Sequence, residues 1–490
     1  MSYCWGDAQF LKLTLDFLDI FRSGLPISSL PQAFQDAISI TKDLGIRFIW
    51  IDALCILQDV KDDFTQECTS MSNIYANSSC NIVATFGKNP HKSFFRTRNH
   101  QSLQIGKLFN AWKVHDSQRD IWLGMDAIVK GDRLSEEMFN CEISTRGWIL
   151  QEILLAPRSL YFGMNQVHWI CQSLEACEIW PEGVPPETGT LVDSHSHLFR
   201  SSNDCQEFDN VNLWNGIVTR YSTLALSHAE DKLVALSGLV KFIQHRTKDE
   251  YLWGHWKSTL PPSLNWFIPS GHRYFGGPIA KFGMLSKSCG RRSSIYRAPS
   301  WSWASIDGIV DFEQFWDDTR YVNICSVLDV HTSTTDPNPS DGAVDGQLTL
   351  RAPWKTATVL GDNRLSMPYF SSKTWTKQPR WDGDSIPDGS KVDLAVTVIT
   401  WHHFTRHSIE GNEQSEHSGR MLSIKTLILL PLEANPGFHM RVGMLSIDSE
   451  FQEESIPRTE LEAFGLKVID EEIRNISVSE ESSLRTFKLI

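Results

Sequence analysis

No run of about 18 apolar residues occurs in this sequence, which excludes an ordinary membrane-spanning helix. The N-terminus, MSYCWGDAQF, lacks a basic stretch followed by an apolar one, so nothing there marks the chain for secretion. Basic charge is not in excess. Its 46 Lys and Arg against 59 Asp and Glu leave a net charge of -13, which argues against nonspecific binding to nucleic acid or anionic lipid. No G-x4-G-K-S/T loop is present to cradle the phosphates of a nucleotide switch. Ten cysteines never form a CxxC pair, and Cys55 and Cys80 sit inside apolar runs. Free thiols behave this way in a reducing compartment, so a cytoplasmic protein is expected.

What is present describes a globular chain. At 490 residues it is too long for one ordinary core, so two or three domains are expected. The stretch Arg47–Asp59, RFIWIDALCILQD, is an apolar and aromatic run that breaks at Asp52. It reads as a buried strand, Arg47–Ile51, delivering a carboxylate at its C-terminal end, where open α/β sheets place their ligand crevice. A plainer reading also stands: Asp52 caps the next turn, and Gln58 and Asp59 are solvated loop.

Around that stretch the pattern alternates. Ser2–Trp5 reads as the tail of a strand and Gly6–Asp7 as the turn after it. Leu30–Leu44 keeps helical spacing, with Pro31 at its start and Gly45 just past its end. Asp62 or Asp63 caps a second helix carrying Phe64, Cys68, Met71, Ile74 and Tyr75 on one face. Ser79–Phe86 is a further apolar strand. Strands and helices in this order predict a parallel sheet with right-handed crossovers.

Residues from about 87 to 135 show no regular pattern. Next comes STRGWILQEILLAPRSLYFGMNQVHWICQ, with Ser144 or Thr145 as a helix cap and Pro157 as its stop. Trp148 and Glu152, four apart, share a face of that helix. SLYFG and QVHWIC then predict a hairpin around Gly163–Asn165. Glu152 either points to water, pairs with Arg146 or Arg158, or is held in a pocket.

Residues 176–210, rich in Pro, Glu, Ser and His, suit a linker or long loop. Residues 211–310 read as helical and then Trp-rich, ending in RAPSWSWASIDG; Asp231–Lys232 opens a helix whose Leu233, Leu236, Leu239, Val240 and Ile243 form its core face. Residues 311–490 carry seven β-type segments, separated in places by polar insertions such as STTDPNPSDGA and SIEGNEQSEHSG. A β sandwich or barrel is the simplest account of them.

His195 with His197, and His402 and His403 with His407, invite a metal. Neither set has an Asp or Glu at ligand spacing, and no metal site is expected. Cys55, behind an apolar run, reads as an inert buried thiol rather than a nucleophile.

Four blocks in order, SYCWGD, LGIRFIWIDALCILQD with MSNIYANSS, TRGWILQEILLAPRSLYFG, and DKLVALSGL, resemble the fungal heterokaryon-incompatibility (HET) domain. They cover roughly the first 240 residues. RAPSWSWAS is similar to the Trp-rich motif that follows this domain in multi-part members, and the C-terminal β region adds nothing as diagnostic. The resemblance implies a role in programmed cell death on fusion of genetically different fungal cells. It also implies a TIR-like (flavodoxin-like) α/β domain over residues 1–175.

Enzymatic TIR domains cleave NAD through the glutamate of a Ser-x-Trp-Cys-x-x-Glu helix. The same Trp-to-Glu spacing carries that role onto Glu152, although Ile149 stands where the TIR pattern has cysteine. Tyr3, Trp5, Asp7, Asp52 and Trp148 then become the binding residues, the aromatics by stacking and Asp52 by orienting a ribose hydroxyl. NAD is implied as substrate and no cofactor is expected. Self-association and incompatibility partner proteins are implied as partners. A non-enzymatic interaction module, or an inactive copy, is the alternative. Family members usually carry strand residues upstream of SYCWG, so a short first strand or a late start is expected here.

Overall fold

In the computed structural model, residues 1–97, 106–116, 119–129, 141–184, 207–226, 228–269, 290–312, 320–332, 346–361, 363–367, 375–383, 386–410, 413–451, 458–468, 476–478 and 484–490 are described. Helix α1, Gln32–Asp43, buries Ala33, Phe34, Ala37 and Ile40; of the residues whose spacing predicts it, Leu30, Phe34 and Ala37 are buried, Ile38 is half-buried and Leu44 is exposed. Pro31 caps it, and Gly45 leaves it at φ +68°, a left-handed turn that only glycine enters without strain. Helix α2, Lys61–Ala76, holds Asp62 and Asp63 in its first turn, but Val60 is at the cap. Asp63 instead accepts a hydrogen bond from Leu57 N at 2.9 Å, tying the preceding loop down.

The first sheet is mixed, not wholly parallel. Strand β1, Asn81–Ala84, is buried throughout. Hairpin β2, Gly106–Asp116, and β3, Arg119–Val129, falls in the stretch with no regular sequence pattern. Its β-favouring residues are interleaved with charges, which blurs the period of two. Helix α3, Ile149–Leu155, precedes β4, Arg158–Phe162, which pairs in parallel with β1; β5, Val167–Cys171, and β6, Glu175–Cys177, then add antiparallel. On the other side of β1, Ser2 forms a parallel bridge with Val83 through Ser2 N to Ile82 O and Ala84 N to Ser2 O, 2.8 and 2.9 Å.

Arg47–Ile51, expected as a buried strand, is corrected. The segment joins no ladder, and Phe48 is 80% exposed. The edge beside β1 is occupied by Ser2, so the apolar run stays outside the sheet with only Ile51 fully buried. Ser144 and Thr145 also do not cap α3. They lie in a 3-10 turn, Glu142–Thr145, because Gly147 N and Ala225 N bond across to Ala225 O and Thr145 O, holding the chain extended until Trp148.

Helix α4, Glu207–Ser222, and helix α5, Ser237–Thr247, follow. Two 3-10 turns, Ala229–Lys232 and Val234–Leu236, stand where the sequence suggested the start of α5. Gly238 lets α5 press on α2 and α3: a Cβ there would lie 2.4 Å from Ser72 Cβ and 2.7 Å from Gln151 Oε1.

The C-terminal strands are β7 (Arg320–Asn323), β8 (Ser326–His331), β9 (Gln347–Val359), β10 (Trp375–Trp381), β11 (Lys391–Glu410), β12 (Glu413–Pro431), β13 (Phe438–Phe451) and β14 (Leu484–Leu489). Pairing runs β11–β12–β13–β14–β9 and returns from β9 to β11, closing a five-stranded barrel. SIEGNEQSEHSG, read as an insertion, belongs mostly to the long β11–β12 hairpin. STTDPNPSDGA lies outside the described residues.

The Trp-rich motif joins these parts. Trp301 and Trp303 are wholly buried; their indole N–H groups donate to Gly346 O and Gly254 O at 2.8 Å each. One apolar core runs from Tyr75 and Leu150 through Trp214, Leu239 and Trp301 to Leu348 and Leu489.

Candidate functional site

The site forms where the SYCWGD segment crosses the sheet edge. Ile51 is extended and Asp52 opens a one-turn helix, Asp52–Cys55, whose Ala53 N donates to Asp52 Oδ1 at 2.8 Å. Ile51, not Asp52, stands at the cap of that turn; Asp52 is its first residue. Asp52 also gathers two aromatic donors: Tyr3 Oη to Oδ1 at 2.7 Å and Trp5 Nε1 to Oδ2 at 2.9 Å. Tyr3 is buried, and its hydroxyl is pushed up by burial and by the Asp52 carboxylate. Trp5 is half-buried, with Lys12 Nζ 4.6 Å above its ring.

Glu152 lies on the core side of α3 and is 5% exposed. Tyr75 Oη donates to its Oε2 at 2.9 Å and also reaches Met1 O at 3.2 Å. Burial pushes the Glu152 carboxyl above the ordinary carboxylate range; the Arg146 charge and the Ser2 and Tyr75 hydroxyls pull against this, while Asp52 adds to it. Arg146 donates to Tyr3 O at 2.6 Å. Asn81 Nδ2 links Ser2 Oγ, at 3.0 Å, to Glu152 O, at 3.3 Å. Glu152 is thus neither solvated nor fixed by a direct ion pair among the described contacts; it is covered by the Met1–Ser2 segment.

Two sub-clusters result, Asp52 with Tyr3 and Trp5, and Glu152 with Tyr75, Ser2 and Asn81. They share the Met1–Tyr3 backbone, and their carboxylates sense one another. Trp148 is half-buried against the main core. Asp7 is exposed in the turn after Gly6 and bonds to neither carboxylate. Gly6 is irreplaceable in that turn: at φ +59° a Cβ would lie 2.1 Å from Lys88 O.

Sequence reasoning missed Tyr75 as a partner of Glu152. Its only signal was its place on the core face of α2, which distinguishes packing from hydrogen bonding no better for tyrosine than for phenylalanine. It also missed Lys232, whose side chain is buried with Nζ donating to Ile306 O. Burial and the nearby Arg297 hold that ammonium down at about 7, against the pull of Asp307. The unfolded chain keeps the proton to about pH 10.4, so stability rises with pH from about 7 upward. Lys232→Met is expected to flatten that rise in urea midpoints between pH 7 and 9.5; an unchanged slope would contradict it.

His195 and His197 lie outside the described residues, and His402, His403 and His407 stand on β11. Among the described residues no group of three His, Cys, Asp or Glu is placed to hold a metal, and no helix is long and apolar enough to cross a membrane.

Comparison with curated proteins and with solved structures finds no match. Residues 1–152, ending on Glu152 and including both sub-clusters, match the family model described as heterokaryon incompatibility protein (HET). The N-terminal 152 residues are thus similar to a heterokaryon-incompatibility (HET) domain.

Proposed function

We propose that the chain is a cell-death effector of the heterokaryon-incompatibility type whose HET domain hydrolyses NAD at the nicotinamide–ribose bond. The observation that carries this reading is the pair of carboxylates in unlike surroundings: Glu152 is buried with its carboxyl pushed up, and Asp52 is half-buried and bonded by Tyr3 and Trp5. Breaking the nicotinamide–ribose bond builds positive charge on the ribose, which a carboxylate stabilises, as in glycoside hydrolysis. Glu152 takes that part; Asp52 orients a ribose hydroxyl; Trp5 offers a face for a flat base.

The described conformation is the resting one. The Met1–Ser2 segment and Tyr75 cover Glu152, and α5 presses on α3 at Gly238. The parts beyond the HET domain restrain α3, and turnover follows its release, with self-association or an incompatibility partner as the trigger. A second reading, a non-enzymatic module that recruits partners, is favoured by the same burial, since a covered carboxylate also serves simply to hold the Met1–Tyr3 segment.

Nicotinamide release from NAD by the purified full chain, beside Asp52→Asn of matched circular dichroism, tests the reading. Wild type is expected to release nicotinamide and Asp52→Asn to do so about a hundredfold more slowly. A folded wild-type protein that releases none at any concentration supports the second reading.

A further inference from the structure

A lysine stands against the indole of Trp5 without a carboxylate to neutralise it. Lys12 is half-buried, its Nζ 4.6 Å from the Trp5 ring centre and 4.9 Å from that of Phe10. The two rings meet edge to face at 5.6 Å, and Phe10 meets His91 the same way at 6.5 Å. Among the described residues Lys12 makes no ion pair, whereas exposed Lys88 pairs with Glu142 at 3.4 Å. Aromatic rings hold an ammonium in place without cancelling its charge, so it keeps its attraction for an anion.

The surroundings are basic in a chain whose net charge is -13. Between Gly87 and Thr97 stand Lys88, Lys92 and Arg96 and no acid, and Lys12 is the only charged residue from Ala8 to Leu15. The Lys88–Lys92 turn is folded onto that segment: His91 Nε2 lies 2.9 Å from Gln9 O, and Lys88 O packs against Gly6. Lys92 and Arg96 are exposed. Two acids lie close by. Asp7 is exposed and pairs with none of these cations among the described contacts, and the Asp52 carboxylate is engaged by Tyr3, Trp5 and Ala53 N.

One indole thus presents a carboxylate at its N–H edge and an ammonium over its face. A ribonucleotide uses both: an acceptor for its ribose hydroxyls and a cation for its phosphate oxygens. We propose that Lys12 reads the phosphates of the ligand at this site, and that the ligand is a ribonucleoside diphosphate, free or as half of a dinucleotide. The flexible four-carbon stem carries the ammonium from the Trp5 ring to a phosphate and leaves that face for the base. Lys92 and Arg96 add positive potential from the adjoining stretch. The inference rests on the roles proposed for Asp52 and Trp5, but not on cleavage of the ligand.

Isothermal titration calorimetry of the full chain with ADP, adenosine and pyrophosphate tests it. Wild type is expected to bind ADP about tenfold more tightly than adenosine, the worth of one charge-assisted contact. Lys12→Gln should weaken ADP by about that tenfold and leave adenosine unchanged. Lys12→Arg should keep most of the ADP affinity, because a guanidinium also serves phosphate and stacks on indole. Raising the salt should narrow the gap between ADP and adenosine in wild type, and much less in Lys12→Gln. ADP binding that Lys12→Gln leaves intact, that Lys12→Arg fails to keep, or that is absent altogether overturns the proposal. Pyrophosphate bound as tightly as ADP also overturns it, as capture of phosphate alone. Lys12-dependent ADP binding without nicotinamide release from NAD sustains this site and refutes the cleavage reading.

Discussion

Asp382→Ala is expected to destabilise the chain by about 3–5 kcal/mol in urea unfolding. Arg441 is the reason: it is wholly buried, its guanidinium 3.4 Å from the Trp266 ring, donating to Asp382 Oδ2 at 2.6 Å and to Trp266 O at 2.5 Å. Burial pushes the Asp382 carboxyl up and holds Arg441 down at about 10, so for both partners the cost of leaving water exceeds the gain from pairing. Removing one partner strands the other charge where no solvent reaches it. Arg292 also approaches Asp382, at 3.6 Å, but it is partly exposed and can turn to water. The double variant Asp382→Leu/Arg441→Met should recover most of the loss, because no charge is then left buried. A single variant within about 0.5 kcal/mol of wild type would show the pair to be solvated, contrary to the structure.

Glu152→Ala and Glu152→Gln should part company. Alanine leaves a void and takes from Tyr75 Oη one of its two acceptors, so a loss of about 2–4 kcal/mol is expected. Glutamine keeps the shape, accepts from Tyr75 and carries no charge to be desolvated, so at pH 7 it should be as stable as wild type or more so. The sign follows from burial raising the folded carboxyl above its unfolded value of about 4.3. In the window between the two values the folded state holds the proton that the unfolded state has lost. Wild-type stability therefore falls with rising pH relative to Glu152→Gln, and the difference is constant below that window. Urea midpoints for wild type and both variants between pH 4 and 8 check it. Glutamine as damaging as alanine would mean that Glu152 is held by its charge.

The legible parts of this fold were those with a clean period. The spacing of Leu30, Phe34, Ala37, Ile38 and Leu44 gave α1, although Leu44 is exposed; SCNIVATF, SLYFG and QVHWIC gave three strands of the first sheet; and all seven C-terminal β segments contain strands. RFIWI misled because an apolar run reports burial, and burial reports a strand only if a neighbouring edge is open. Here Ser2 occupies that edge, and Phe48 projects into solvent. Tyr3 and Trp5 do donate to Asp52, but the sequence placed Asp52 near them through a strand over Arg47–Ile51 that does not form. The Tyr75–Glu152 bond was not legible. It joins α2 to α3 across 77 positions, and nothing local to either residue encodes it. The same holds for Arg441, an arginine inside an apolar strand whose partners lie on two other elements.

We propose that Glu152 is the carboxylate through which the HET-like domain cleaves NAD. The most direct measurement is nicotinamide release by wild type beside Glu152→Gln, at protein concentrations high enough for self-association and with melting curves on both. The account predicts release by wild type and a loss of at least a hundredfold in the glutamine variant at matched stability. Equal release by both would contradict it.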